Sequence, residues 1–76
     1  MSERLLDARG LKCPLPVMMA AKLLRTLSAG DQLRVLATDP LAPQDFADFC
    51  ASEGHELIES AASKEGYSCL IGARER

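Results

Sequence analysis

Cys13 stands in the run Leu11-Lys12-Cys13-Pro14-Leu15-Pro16, directly ahead of a segment with helical periodicity. A cysteine at a helix start is a candidate nucleophile, because a thiolate there meets free amides and the positive end of the helix. Pro14 disfavours the α region for Cys13 and suits the first helical position, where a missing N–H costs nothing. This spacing predicts Cys13 as the N-cap, with its sulfur near the amides of Leu15 and Val17; Pro16 has no N–H to donate. A negative charge at a helix start gains roughly 0.3–1 kcal/mol. One pKa unit is about 1.4 kcal/mol, so the helix alone lowers a thiol pKa by well under one unit. Lys12 pushes the same way. The expectation is an exposed, moderately activated thiol that keeps most of its intrinsic nucleophilicity.

The residues around that thiol narrow its chemistry. The chain has three cysteines and one histidine. No second cysteine lies within a few residues of Cys13, which disfavours a local dithiol couple. His55 is far along the chain, so a Cys–His hydrolase has no support, and there is neither a Gly-rich phosphate loop nor metal-ligand spacing. No metal and no cofactor are expected. A lone activated thiol without an evident base suits covalent carriage, in which the thiolate attacks a sulfur or acyl donor, holds the group and passes it on. Cys50 shares a helical stripe with Phe46 and Phe49 and reads as a small buried hydrophobe. Cys69, in Tyr67-Ser68-Cys69-Leu70-Ile71, reads as a strand residue. His55 reads as a junction residue bonded to backbone, and Asp39 before Pro40 as a turn former.

Positioning these residues requires a strand, a turn and a helix. Leu5-Leu6-Asp7-Ala8 is a short strand candidate, and Gly10 allows the turn after it. Val17, Ala20, Ala21, Leu24 and Leu27 fall at helical spacing with Lys22 and Arg25 off that face, and Gly30 stops the helix. Gln32 to Ala37 alternates as a strand. Asp39 to Pro43 is a loop opening a second helix, with Pro43 at its first position and Gly54 at its end. His55 to Ala61 and Tyr67 to Arg74 read as third and fourth strands joined by a hairpin. The order β-α-β-α-β-β, an α/β arrangement of one sheet and two amphipathic helices, predicts a two-layer α+β sandwich with both helices on one face.

The chain has 76 residues, so a single domain over 1–76 is expected. No apolar run approaches the roughly 18 residues of a membrane span, and the N-terminus is unlike a signal peptide. The cysteine spacings fit no disulfide framework, which suits a reducing compartment, and a cytoplasmic location is expected. The net charge of −2 disfavours direct nucleic-acid binding. Residues 1–34 carry a net +3 and the rest a net −5. The basic half holds Cys13, and Arg9, Lys12, Met18, Lys22 and Arg25 are its candidate partner-docking residues.

The run Leu6-Asp7-Ala8-Arg9-Gly10-Leu11-Lys12-Cys13-Pro14-Leu15-Pro16-Val17-Met18-Met19 resembles the signature of the TusA/SirA family of sulfur carriers, whose core is Cys-Pro-x-Pro. Asp39-Pro40, Asp45, Phe49-Cys50 and Gly54-His55-Glu56-Leu57 extend the resemblance along nearly the whole chain. The resemblance implies a mixed four-stranded sheet in the order 1-2-4-3, with strand 4 antiparallel to the rest. It implies that Cys13, supported by Gly10, Lys12, Pro14 and Pro16, accepts persulfide sulfur from a cysteine desulfurase or rhodanese-like donor. The sulfur then passes to an acceptor protein, as in tRNA 2-thiouridine synthesis or molybdenum-cofactor supply. Such a persulfide is more acidic than a thiol, and a helix start suits its anion. The alternative reading is a regulatory or scaffolding module that binds partners through the same face without chemistry at Cys13.

Overall fold

Leu33, Val35 and Ala37 turn one way from their strand and are buried, while Gln32, Arg34 and Leu36 turn the other way and are half-buried. That alternation is the signature of a sheet covered on one side only. A computed structural model describes residues 3–75 and contains β1 (Glu3–Ala8), α1 (Leu15–Leu24), β2 (Gln32–Ala37), α2 (Ala42–Glu53), β3 (Glu56–Ser63) and β4 (Gly66–Gly72). The sheet runs β1-β2-β4-β3. β1 and β2 are parallel, and β4 is antiparallel to both β2 and β3. Both the element order and the sheet order agree with the expectation.

The core lies between the sheet and the helices. Phe46, Leu24, Leu33, Ile71, Val35 and Pro16 are its largest fully buried side chains. Pro16, Ala20 and Leu24 form the inward stripe of α1, and Ala42, Phe46 and Cys50 that of α2. The second proline of the Cys-Pro-x-Pro run is therefore a core residue that anchors the start of α1. On the open face of the sheet, Arg34 Nη1 donates to Glu59 Oε1 at 3.0 Å and to Ser68 Oγ at 2.8 Å. Its Nε lies 3.5 Å from Glu3 Oε2, so one guanidinium ties together all four strands.

Several boundaries differ from the sequence expectation. α1 ends at Leu24, well before Gly30. The chain tightens there: Thr26 and Leu27 donate to the carbonyls three residues back, and Thr26 Oγ1 also takes up the Leu23 carbonyl at 2.7 Å. Leu27 still reaches the core, from this turn rather than from the helix. Pro43 sits at the second helical position, behind Leu41 as N-cap. β3 carries an irregularity between Leu57 and Glu59, which leaves Ile58 out of register.

Gly66 opens β4 at φ 125°, and a Cβ there would stand 2.5 Å from the Ala37 carbonyl oxygen. No flexible side chain can yield at that contact, since the obstacle is backbone. Gly66→Ala is expected to lower stability by about 1–3 kcal/mol through left-handed strain and displacement of the β2 end. A fall in the urea midpoint checks it, and an unchanged midpoint contradicts this role for Gly66.

Candidate functional site

Cys13 lies on the loop between β1 and α1, and two contacts from the β2–α2 loop hold that loop down. The Gly10 N–H donates to Thr38 Oγ1 at 2.9 Å. The Cys13 N–H donates to Asp39 Oδ2 at 3.1 Å. The other Asp39 oxygen accepts from the Leu41 N–H at 2.8 Å, and its backbone carbonyl accepts from the Ala42 N–H. Asp39 is thus the turn former it was expected to be, and it is also the clamp on the Cys13 backbone. These amide bonds favour its ionised form and hold its pKa below the ordinary carboxylate value, with Lys12 nearby adding a smaller effect.

The cap is not where the spacing placed it. Pro14, rather than Cys13, is the N-cap of α1, with Leu15 the first helical residue and Pro16 the second. The Leu15 N–H is taken by the Lys12 carbonyl at 2.9 Å, so it is not offered to the sulfur. The Cys13–Pro14 peptide is cis. Cys13 is half-buried and packs against the core instead of standing fully exposed.

The electrostatics reverse the sequence expectation as well. The Cys13 thiol is pushed up to about 11, first by burial and then by hydrogen bonding to the Asp45 carboxylate and the negative charges of Asp45 and Asp39. A helix start offers a few tenths of a kcal/mol per favourable contact, whereas two carboxylates close to a partly buried sulfur outweigh it. Lys12 acts on Asp39. The resting sulfur is a protonated thiol.

Near Cys13, the starts of both helices leave apolar side chains exposed. Leu15, Met18 and Met19 at the start of α1 and Leu41 at the start of α2 are large hydrophobic side chains left exposed, Met18 at 60% and Leu41 at 62%. Met18, Lys22 and Arg25 recur at helical spacing along the outer face of α1, so a stripe runs from apolar near Cys13 to basic at the far end. Arg9 does not join it. Its guanidinium is forked onto Asp7, with 2.8 Å contacts from Nε and Nη2, and this pair holds Asp7 down to about 2. Arg9 lines a shallow depression on the open face of the sheet with Leu36 and Ser63.

Cys50 and Cys69 are buried at 3% and 2% exposure, and all three cysteines are free thiols. Burial pushes Cys50 up to about 11 and Cys69 upward too, with Ser60 partly opposing the shift at Cys69. His55 Nδ1 accepts from the Arg74 N–H at 3.0 Å, in line with its reading as a junction residue. Among the described residues, no cluster of His, Cys, Asp or Glu is arranged to hold a metal ion. No helix among them is long and apolar enough to cross a membrane.

A family model described as Sulfurtransferase TusA matches residues 4–72. The chain belongs to the TusA family. Two relatives, from Neisseria meningitidis serogroups A and B, are each 46% identical over 71 residues, covering 93% of this chain and 95% of theirs. Both are named as putative sulfur carrier proteins. The crystal structure of a SirA-like protein from Desulfitobacterium hafniense matches with a TM-score of 0.81 at 30% identity, covering 99% of this chain and all of that one. TusA membership gives the chain a sulfur-carrier role in general terms, with a donor and an acceptor as the partners such a role requires.

In this TusA domain the sequence reading missed Asp45 as a neighbour of Cys13. Its signal was weak, because an acid in the first turn of a helix already has a sufficient reason to be there. Asp39 offers a separate check. Asp39→Ala removes one acceptor shared by two amides, and exchange at Cys13 and Leu41 is expected to quicken about tenfold in a hydrogen–deuterium measurement. Unchanged protection at both amides contradicts the clamp. Because the Asp39 pKa is depressed, its stabilisation is present above the ordinary carboxylate pKa of about 4 and is lost as acid protonates it.

Proposed function

We propose that this chain carries persulfide sulfur on Cys13 Sγ between two proteins. The donor, a cysteine desulfurase or rhodanese-like protein, presents a persulfide whose outer sulfur Cys13 attacks. One S–S bond forms and one breaks, the donor leaves as a thiol, and the Cys13 proton passes to it by way of Asp45 or a group of the donor. The second transfer repeats the displacement, with the acceptor's thiolate attacking the outer sulfur. Neither step consumes an oxidant or a reductant. Destinations of this chemistry include tRNA 2-thiouridine and the molybdenum cofactor. The reaction needs no cofactor, and a cytoplasmic site of action fits the free thiols.

The observation that carries this reading is the presentation of Cys13. It is half-buried and clamped through Asp39, at the helix starts where Leu15, Met18, Met19 and Leu41 are exposed for a partner to cover. Covering these side chains brings two sulfurs together in a dry, oriented contact. Lys12, Met18, Lys22 and Arg25 serve as docking contacts for an acidic partner. Gly10 supports the site through Thr38, and Pro14 and Pro16 set the course of the chain into α1. Arg9, occupied by Asp7, contributes through the loop conformation.

Incubation with a cysteine desulfurase and cysteine, followed by intact mass measurement without reductant, is expected to show gain of one sulfur. Addition of an acceptor thiol protein is expected to discharge it. A protein that gains no sulfur from any persulfide donor is not a carrier. The protonated state of Cys13 favours one rival, a binding module with no chemistry at Cys13. That rival predicts full biological function for Cys13→Ala and its loss on charge reversal at Lys22 and Arg25. Loss of function in Cys13→Ala with partner binding intact rules it out.

A further inference from the structure

A groove lies at the end of the molecule opposite Cys13. The chain reaches Cys13 from the end of β1 and enters β3 from His55, and β1 and β3 point the same way. His55 and the C-terminal ends of both helices therefore gather at the far end. The groove there, of about 320 Å³, is lined by Leu24, Arg25, Phe49, Glu53, His55 and Arg74. Phe49 and His55, which belong to the second stretch of family resemblance, stack with ring centroids 5.6 Å apart and planes 29° apart. They take no part in the chemistry at Cys13.

The charged groups of this groove are held apart. Arg9 and Arg34 are paired with carboxylates, but among the described residues no carboxylate lies within ion-pair distance of Arg25 or Arg74. Glu53 shares the groove, and it too has no ion-pair partner among the described residues. The Arg74 backbone is fixed by its N–H bond to His55 Nδ1, and its Cδ lies against Gly54, 3.6 Å from where a Cβ would stand. The groove thus presents two guanidiniums and one carboxylate, groups of both signs, side by side. A bare anion finds partners of one sign only. A ligand with both signs meets both.

We propose that this groove binds a free α-amino acid. Its carboxylate lies on the Arg25 and Arg74 guanidiniums, its ammonium faces Glu53, and its side chain lies against Phe49 and Leu24. Planar guanidiniums suit a carboxylate through paired N–H donors, and the groove volume accommodates a molecule of that size. The site is remote from Cys13 but shares Arg25 with the proposed docking stripe, so its occupancy is tested on the chain without a sulfur-transfer partner.

The test is a titration of the ¹⁵N-labelled full chain with L-leucine, followed by amide chemical shifts. Saturable shifts are expected at Arg25, Phe49, Glu53, His55 and Arg74, and Cys13→Ser is expected to leave them unchanged. 4-Methylpentanoate, isoamylamine and inorganic phosphate are each expected to bind at least about tenfold more weakly. Arg74→Gln and Glu53→Gln are each expected to weaken L-leucine about tenfold while leaving the spectrum otherwise folded. The proposal is overturned by shifts that fail to saturate or map elsewhere. It is equally overturned if 4-methylpentanoate or phosphate binds as tightly as L-leucine, or if both substitutions leave affinity unchanged.

Discussion

Cys13→Ser is expected to abolish sulfur loading completely, whichever persulfide donor is offered. A serine oxygen cannot take the place of a thiolate in a sulfur-to-sulfur displacement. The other two thiols are no substitute, because Cys50 and Cys69 are 3% and 2% exposed and no donor persulfide reaches them without opening the core. Burial also keeps both protonated. Stability should be nearly unaffected, since the substitution is close in size, the site is only half-buried and the Cys13 N–H bond to Asp39 is made by backbone. The check is intact mass after incubation with a desulfurase and cysteine, alongside a thermal melt. Loading that persists in Cys13→Ser removes Cys13 from the mechanism.

The second large effect has the opposite sign. Asp45→Asn is expected to make Cys13 more reactive toward a small alkylating agent, by about tenfold at neutral pH. With the wild-type thiol at about 11, roughly one molecule in ten thousand carries the thiolate at pH 7. Its alkylation rate should climb about tenfold per pH unit and level off only near pH 11. Asparagine removes the negative charge and the carboxylate acceptor together, so the curve moves to lower pH. Burial, the largest contributor, remains, and the shift therefore stops short of a free cysteine. The sign follows from which form is favoured: Asp45 stabilises the neutral thiol, so that stabilisation is present at low pH and fades as pH rises through the Cys13 pKa. An Asp45→Asn curve that coincides with wild type, or moves to higher pH, contradicts this account.

A protonated resting thiol also bears on how the carrier is used. A thiol that is scarcely ionised reacts slowly with oxidants and stray electrophiles. A donor that covers the exposed apolar side chains and places a cation beside Asp39 and Asp45 cancels the charges holding the proton in place. Reactivity then depends on docking. A persulfide formed at the same sulfur is intrinsically more acidic, so it ionises where the thiol does not. On the proposed function, such a carrier would be quiet when empty and reactive when loaded.

Much of the architecture was legible from spacing. β2 shows strict alternation in both sequence and burial, and the stripe Phe46–Cys50 points inward as its period requires. Cys13 stood out in the sequence as the candidate nucleophile because two prolines and a glycine turn set it at a strand-to-helix passage, and the fold places it on that passage. Its electrostatics did not, because Asp39 and Asp45 approach from the β2–α2 loop and α2, 26 and 32 residues away in sequence. Lys12 and the helix start are outweighed by burial first, and then by carboxylates that only the fold brings near. The same holds for charge. The contrast between the two halves of the chain dissolves where Arg34 of β2 meets Glu59 of β3, and Arg9 is spent on Asp7 two residues away. The end of α1 was misplaced for a different reason: Leu27 keeps the helical period although the backbone has already tightened into a turn.

The most direct test of the central claim is to locate the carried sulfur. The protein is incubated with a cysteine desulfurase and cysteine, digested without reductant, and its three cysteine-bearing peptides are compared by mass. One added sulfur is expected on the peptide containing Cys13, removed by reductant and by an acceptor thiol. Added sulfur on Cys50 or Cys69, or on no peptide at all, would contradict it.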